Sequence, residues 1–296
     1  MRIFVTGASG WIGSAVVAEL LGAGHQVVGL ARSDQAAATV SGLGAEVHQG
    51  DLDDLDSLRR GAADADGVVH LGYNHDFSDV PGAARTDLAA ITAMGETLEG
   101  TDELLLIASG VAGLRAGHLA TEQDMPDLST HPRVANAQAT LALASKGVRS
   151  VVVRFAPTVH GPGDSGFVAM LVGIARERGV SGYVGDGDNR WPAVHRLDAA
   201  TLVRRAVDDA PPGCVLHAVA EEGIPTRTIA EAIGRGLDLP VASVAPDDAA
   251  DHFGWLGMFF GADVPASNSM TRERFGWEPV HPGLIADIDA GSYSAA

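Results

Sequence analysis

The order of its apolar runs constrains this chain more than any other feature. Ile3 to Val5, Val27 to Leu30, Val68 to Leu71, Leu104 to Ile107 and Val151 to Val153 are strand-sized and do not alternate with polar residues. That is the pattern of strands covered on both faces. Between them, Ala15 to Leu21, Leu55 to Ala62, Leu88 to Leu98 and Ala135 to Ser145 carry helical spacing. Regular alternation of strand and helix predicts right-handed crossovers and an α/β, Rossmann-like, doubly wound parallel sheet over residues 1–155. Residues 156–296 are expected to form mainly a smaller lobe, with part of the segment returning to the sheet. Turn signals multiply there (Gly161-Pro162-Gly163-Asp164, Gly185-Asp186-Gly187-Asp188, Pro211-Pro212-Gly213), with helices expected over Gly166 to Arg178, Ala199 to Asp208 and Thr226 to Arg235.

The first strand runs through Thr6-Gly7-Ala8-Ser9-Gly10-Trp11-Ile12-Gly13 into a helix. Three glycines at the tightest point of a strand-turn-helix unit suit a dinucleotide. They permit the turn, let backbone approach a pyrophosphate and let the helix pack close, while the helix N-terminus offers N–H groups and a positive dipole. The spacing, G-x-x-G-x-x-G, is one residue longer than the common fingerprint.

On these residues the chain resembles the short-chain dehydrogenase/reductase superfamily, in its extended or atypical, epimerase/dehydratase-like form. The resemblance spans nearly the whole chain. Gly50-Asp51-Leu52 is similar to the family's acidic turn that meets the adenine, His70-Leu71-Gly72 to the segment lining ribose and pyrophosphate, and Ile107-Ala108-Ser109 to the strand end bearing a catalytic hydroxyl. Arg154 with Val159-His160-Gly161-Pro162 resembles the Arg-Pro…Tyr-Gly-Pro segment. Gly185-Asp186-Gly187…Arg190…Val194-His195…Asp198 and the tail Phe275-Gly276-Trp277-Glu278-Pro279 resemble two further family stretches. The resemblance implies cofactor contacts at Gly7, Ser9, Gly10, Trp11, Ile12, Gly13, Asp51, Leu52, His70, Leu71 and Gly72, and substrate contacts at His75, His160, Arg190 and His195.

The end of the second strand selects the cofactor: a carboxylate there accepts from a ribose 2′-hydroxyl, whereas an Arg receives a 2′-phosphate. Ala31 stands where NAD-using relatives carry Asp, and Arg32 and Ser33 follow, so NADP is expected over NAD. The family's Tyr-x-x-x-Lys pair is missing. Four residues after Tyr73 comes Phe77, after Tyr183 comes Gly187, Tyr293 lies near the end, and Lys146 is the only lysine. Arg133, with Ser129 or His131 near the Tyr site, falls where that pair would sit. Ser109, His131 and Arg133 are therefore the catalytic candidates, with His131 or water as proton partner, since imidazole needs no activating Lys.

Acidic residues outnumber basic ones, 38 to 20, for a formal charge of -18. Such a surface repels phosphate backbones and anionic headgroups, so neither nucleic acid nor membrane is expected as a partner. The single cysteine, Cys214, can form no internal disulfide, and no apolar signal segment follows Met1, which suggests a cytoplasmic protein. Eleven histidines invite a metal reading, but none has ligand spacing, and no metal is expected. The Phe253 to Phe260 run is apolar enough to wall a pocket or a homodimer contact. The expected function is NADP-dependent hydride transfer on a carbonyl or alcohol of a small polar substrate. A sugar epimerase or dehydratase with internal redox, or a non-catalytic NADP-sensing protein, are the alternatives.

Overall fold

The computed structural model describes residues 1–74, 79–114, 117–126 and 132–293. Its first half reads β1 (Arg2–Thr6), α1 (Trp11–Gly22), β2 (Gln26–Ala31), α2 (Asp34–Gly42), β3 (Glu46–Gln49), α3 (Leu55–Ala63), β4 (Gly67–His70), α4 (Val80–Thr97), β5 (Leu104–Gly110), α5 (Pro132–Ala142) and β6 (Arg149–Phe155). The second half continues with β7 (Thr158–His160), α6 (Phe167–Arg178), β8 (Ser181–Val184), β9 (Arg190–His195), α7 (Arg196–Asp209), β10 (Cys214–Ala218), β11 (Glu221–Pro225) and α8 (Thr226–Leu237).

Seven strands form one sheet in the order β10-β6-β5-β4-β1-β2-β3, and every pairing is parallel. All five apolar runs are strands of it. Two more strands complete it. β3, Glu-Val-His-Gln, is a polar edge strand, and β10 comes from the second half to close the opposite edge beside β6. The order reverses between β1 and β4, and ligands of open parallel sheets bind at the carboxyl ends of strands at such a point.

Strand side chains go alternately to two apolar layers, which is why the runs do not alternate in polarity. Ile3, Val5, Val69, Leu104, Leu106, Val151 and Val153 pack under α1 and α7. Phe4, Val28, Val68, Leu105, Ile107 and Val152 pack under α3, α4 and α5. A third core holds the second-half elements together around Val168, Leu171, Trp191, Ile229, Phe253 and Phe260. Small sheets β11-β9-β7 and a β8 pairing with Val241–Val244 complete that half. Trp191 and Phe260 are fully buried, whereas Trp255 is 39% exposed. No helix among the described residues is long and apolar enough to cross a membrane.

Leu106 is wholly buried in the first layer and Val280 is 79% exposed. Leu106→Ala is expected to cost about 2–5 kcal/mol in urea unfolding, and Val280→Ala to stay within about 0.5 kcal/mol of the parent.

Candidate functional site: the cleft at the sheet reversal

Two glycines of the first turn are forced by close approach. Gly7 is left-handed (φ 66°), and a Cβ on it would stand 2.7 Å from the Gly72 nitrogen; a Cβ on Gly13 would stand 2.0 Å from the Gly7 carbonyl oxygen. Neither position admits a side chain, so β1, the start of α1 and the Leu71-Gly72 segment converge on one point. Gly10 is extended and caps α1 with no side chain, and its N–H donates to the Gly7 carbonyl (2.9 Å). The first-turn N–H groups that a helix leaves without internal partners are thus not covered by a capping oxygen. A phosphate suits this end on charge and geometry, and the residues present fit a dinucleotide.

Trp11 ties this turn to the second half. Its indole N–H donates to the Val159 carbonyl (2.7 Å), and the Arg196 guanidinium lies 4.0 Å over its ring while donating to Ser14 Oγ (2.9 Å). Leu52 packs beside Gly72, where a Cβ would meet it at 3.1 Å. Asp51, partly buried, faces the Asp53 N–H at 3.4 Å. Ser9 and Ile12 are half-buried at the turn. Across β2, Arg32 and Ser33 are exposed; Ser33 Oγ accepts from the Ala36 N–H (3.3 Å) to cap α2, and Arg32 makes no ion pair among the described residues.

On the α4/α5 face of the sheet the strand ends carry polar side chains. Thr6 Oγ1 bonds His70 Nδ1 (2.7 Å) and accepts from the Gly72 N–H (3.0 Å). His70 Nε2 meets Asp87 Oδ1 (3.2 Å), whose other oxygen accepts from Asn136 Nδ2 (2.6 Å) with Arg133 Nε at 3.9 Å. Burial alone would raise the Asp87 carboxyl, but His70, Arg133 and Asn136 together hold it below the usual carboxylate range. Arg133 also donates to the Ala108 carbonyl (3.0 Å), next to Ser109, and stands 3.9 Å over the Tyr73 ring. Burial pushes the Tyr73 phenol up against the opposing Arg133 charge, so this phenol is not primed to ionise.

Ser109, Arg154 and His217 are register partners on β5, β6 and β10, and share that face. His217 donates from Nδ1 to the Ser267 carbonyl (2.8 Å) and accepts at Nε2 from Arg154 Nη1 (3.4 Å). Its burial lowers its pKa to about 4, so the ring is neutral at pH 7. Arg154 is 2% exposed, and burial likewise draws its guanidinium below its ordinary value. Ser109 Oγ makes no hydrogen bond among the described residues.

His160 and His195, expected at the substrate, lie in the interior with ring centroids 5.5 Å apart. His160 Nδ1 bonds Asp287 Oδ2 (2.6 Å), and His195 Nε2 stands 4.0 Å from the same oxygen. Burial lowers the His195 pKa, against the attraction of Asp287. His195, Asp198 and His281 bring ligand-type atoms within 4.8 Å of one another, a grouping that sequence spacing does not reveal. Within it, Asp198 accepts from the Val280 and His281 N–H groups and from His281 Nδ1, and His195 Nδ1 accepts from the Leu197 N–H. Arg190, expected at the substrate, pairs with Asp263 through Nε (3.0 Å) and Nη2 (2.8 Å) and with neither of the nearby Asp186 and Asp188. His75 and His131 lie outside the described residues.

Sequence reasoning passed over Asp87, Asn136 and Glu122. The signal for Asp87 was present: Ala83, Ala84, Ala90, Ile91 and Met94, at helical spacing around it, are all buried, so a carboxylate stands on the core face of α4.

A parallel sheet whose reversal point carries a capless, glycine-lined helix start defines a Rossmann-like dinucleotide-binding fold. The chain belongs to the NAD dependent epimerase/dehydratase family, whose model matches residues 3–216. It is 47% identical over 294 residues to an uncharacterized protein of Schizosaccharomyces pombe, covering 99% of this chain and 100% of that one. It is 29% identical over 225 residues to a 2-alkyl-3-oxoalkanoate reductase of Stenotrophomonas maltophilia, covering 72% of this chain and 67% of that one. Among solved structures, the UDP-glucose 4-epimerase of Thermotoga maritima superposes with a TM-score of 0.77 at 18% identity, covering 99% and 98% of the two chains.

The folded Asp87 carboxyl titrates below its unfolded value, so its stabilisation is complete above the ordinary carboxylate range and is lost as pH falls through the folded value. Urea unfolding at pH 7 and at pH 3 is expected to show a larger acid loss in the parent than in Asp87→Asn. Equal losses would mean that the carboxylate's bonds carry no net stability.

Proposed function

We propose that this chain is an NAD(P)-dependent oxidoreductase that prefers NADP(H) and interconverts a carbonyl and an alcohol on a small substrate. The observation that carries this reading is the Ser109 hydroxyl, which makes no hydrogen bond among the described residues and stands at the carboxyl end of β5, the sheet edge that also carries the glycine-lined turn after β1. The bound dinucleotide supplies or accepts hydride. Ser109 orients the carbonyl oxygen, and Arg133, anchored to the Ala108 carbonyl and Asp87, holds that strand end and the Tyr73 ring in place. His131 is the proposed proton partner on the strength of its place in the sequence.

Gly7, Gly10 and Gly13 hold the pyrophosphate segment, with Leu52, Leu71 and Gly72 around it. Arg32 and Ser33 favour a 2′-phosphate because both are exposed at the end of β2, and the first nearby acid, Asp34, starts α2. Reduction is favoured over epimerisation by two relatives named as reductases, the Stenotrophomonas maltophilia protein and a quinoline-oxide ketoreductase of Stigmatella aurantiaca at 29% identity. Family membership supports the second reading, an epimerase or dehydratase with internal redox.

NADPH is expected to bind about tenfold more tightly than NADH, near 1.4 kcal/mol, and Arg32→Ala to erase most of the difference. Equal affinities in the parent would end the NADP assignment. Ser109→Ala is expected to lower kcat at least about tenfold, whereas Tyr73→Phe stays within a few-fold. Product analysis decides between the two readings, since an epimerase leaves no net change in dinucleotide absorbance.

A further inference from the structure

Arg154 is a buried cation with no carboxylate at ion-pair distance among the described residues. Its hydrogen-bond partners are the neutral ring of His217 at 3.4 Å and the Met125 thioether at 3.9 Å, both weak. Glu122 and Asp124 attract it only from beyond contact: Glu122 Oε1 accepts from Thr271 while its Oε2 is buried without a hydrogen bond among the described residues, and Asp124 Oδ2 accepts from Thr121. A buried charge held so loosely is stable only if something completes its shell.

The space beside it shows what could do so. Arg154, Ser109, Met125, Gln138 and Leu141 line a small cavity with about 20 Å³ open to the centre of a water molecule. A space of this size admits a small polar group and not a sugar ring. Ser109 is the register partner of Arg154 on the neighbouring strand, so the two side chains leave backbones roughly 4.8 Å apart on one face.

We propose that Arg154 binds a carboxylate of the substrate, and that the substrate is a short 2- or 3-oxo acid whose carbonyl oxygen takes the Ser109 hydroxyl. Because both side chains line one small cavity, a carboxylate held by Arg154 would lie only a few bonds from a carbonyl held by Ser109. Planar, bidentate carboxylate recognition is what a guanidinium does and an ammonium does not. The inference rests on the reductase reading for its chemistry: the carbonyl carbon gains hydride from a reduced dinucleotide, its oxygen gains a proton, and the products are the hydroxy acid and the oxidised dinucleotide.

The test uses the full chain with NADPH and pairs 2-oxobutanoate and 3-oxobutanoate with their methyl esters. At least one acid is expected to exceed its ester in kcat/KM by about tenfold or more. Arg154→Met should raise KM for that acid by a similar factor, leave the ester within a few-fold and leave NADPH affinity unchanged, with Arg154→Lys recovering part of the loss. Esters used as well as acids by the parent, or an acid preference that survives Arg154→Met, overturns the carboxylate site while sparing the reductase. If no carbonyl compound is turned over, the reductase reading falls, and calorimetry with unreactive butanoate and butanamide judges Arg154 alone. Butanoate binding to the parent and not to Arg154→Met supports the site, and butanoate binding no better than the amide overturns it. Should Arg154→Met fail to fold, the parent's acid-to-ester ratio and Arg154→Lys decide.

Discussion

The approach of Gly13 to the Gly7 carbonyl oxygen is the contact on which the rest of the molecule turns. It sets how closely α1 follows β1, and so where the helix N-terminus meets the sheet's reversal point. Because Leu71-Gly72 crosses the same spot, β4 is held there too. A side chain at either glycine would push backbone against backbone, a strain no rotamer change relieves. The polar residues of the cleft, Thr6 and His70 among them, are placed by these strand ends.

Much of this was legible in the residues. Five apolar runs became five strands because both faces of a parallel sheet are covered, and the glycine turn fell at the first strand end as its spacing required. The edges were not legible: β3 is polar and short, and β10 pairs with a strand some sixty residues earlier, a partnership that local pattern does not encode. The polar network at Asp87 was hidden for the same reason. Its members come from β1, β4, α4 and α5, and only the fold brings Thr6, His70, Asp87, Arg133 and Asn136 into one chain of bonds. The charge of Arg190 went to Asp263, far along the sequence, and not to the aspartates beside it.

Two buried charges on one face are handled in opposite ways. Asp87 receives bonds from His70 and Asn136 and a nearby guanidinium, so its ionised form is supported from several sides. Arg154 is given a neutral imidazole and a thioether. The first arrangement braces the sheet against α4 and α5, while the second leaves donor capacity unspent beside the Ser109 hydroxyl. Burial that is satisfied internally and burial that is not have different consequences for a protein that must meet a ligand.

Trp11 has a mechanical consequence. Its indole is pinned to the Val159 carbonyl on β7, and Arg196, at the start of α7, clamps the ring from above while reaching Ser14 on α1. The glycine-lined start of α1 and the base of the second half are therefore joined through this indole, and the Arg204–Glu19 pair (3.0 Å) ties α1 to α7 a second time further along. Loss of the indole would therefore loosen the turn, β7 and the start of α7 together, while leaving the β5 and β6 ends where Ser109 and Arg154 stand untouched by any bond it makes.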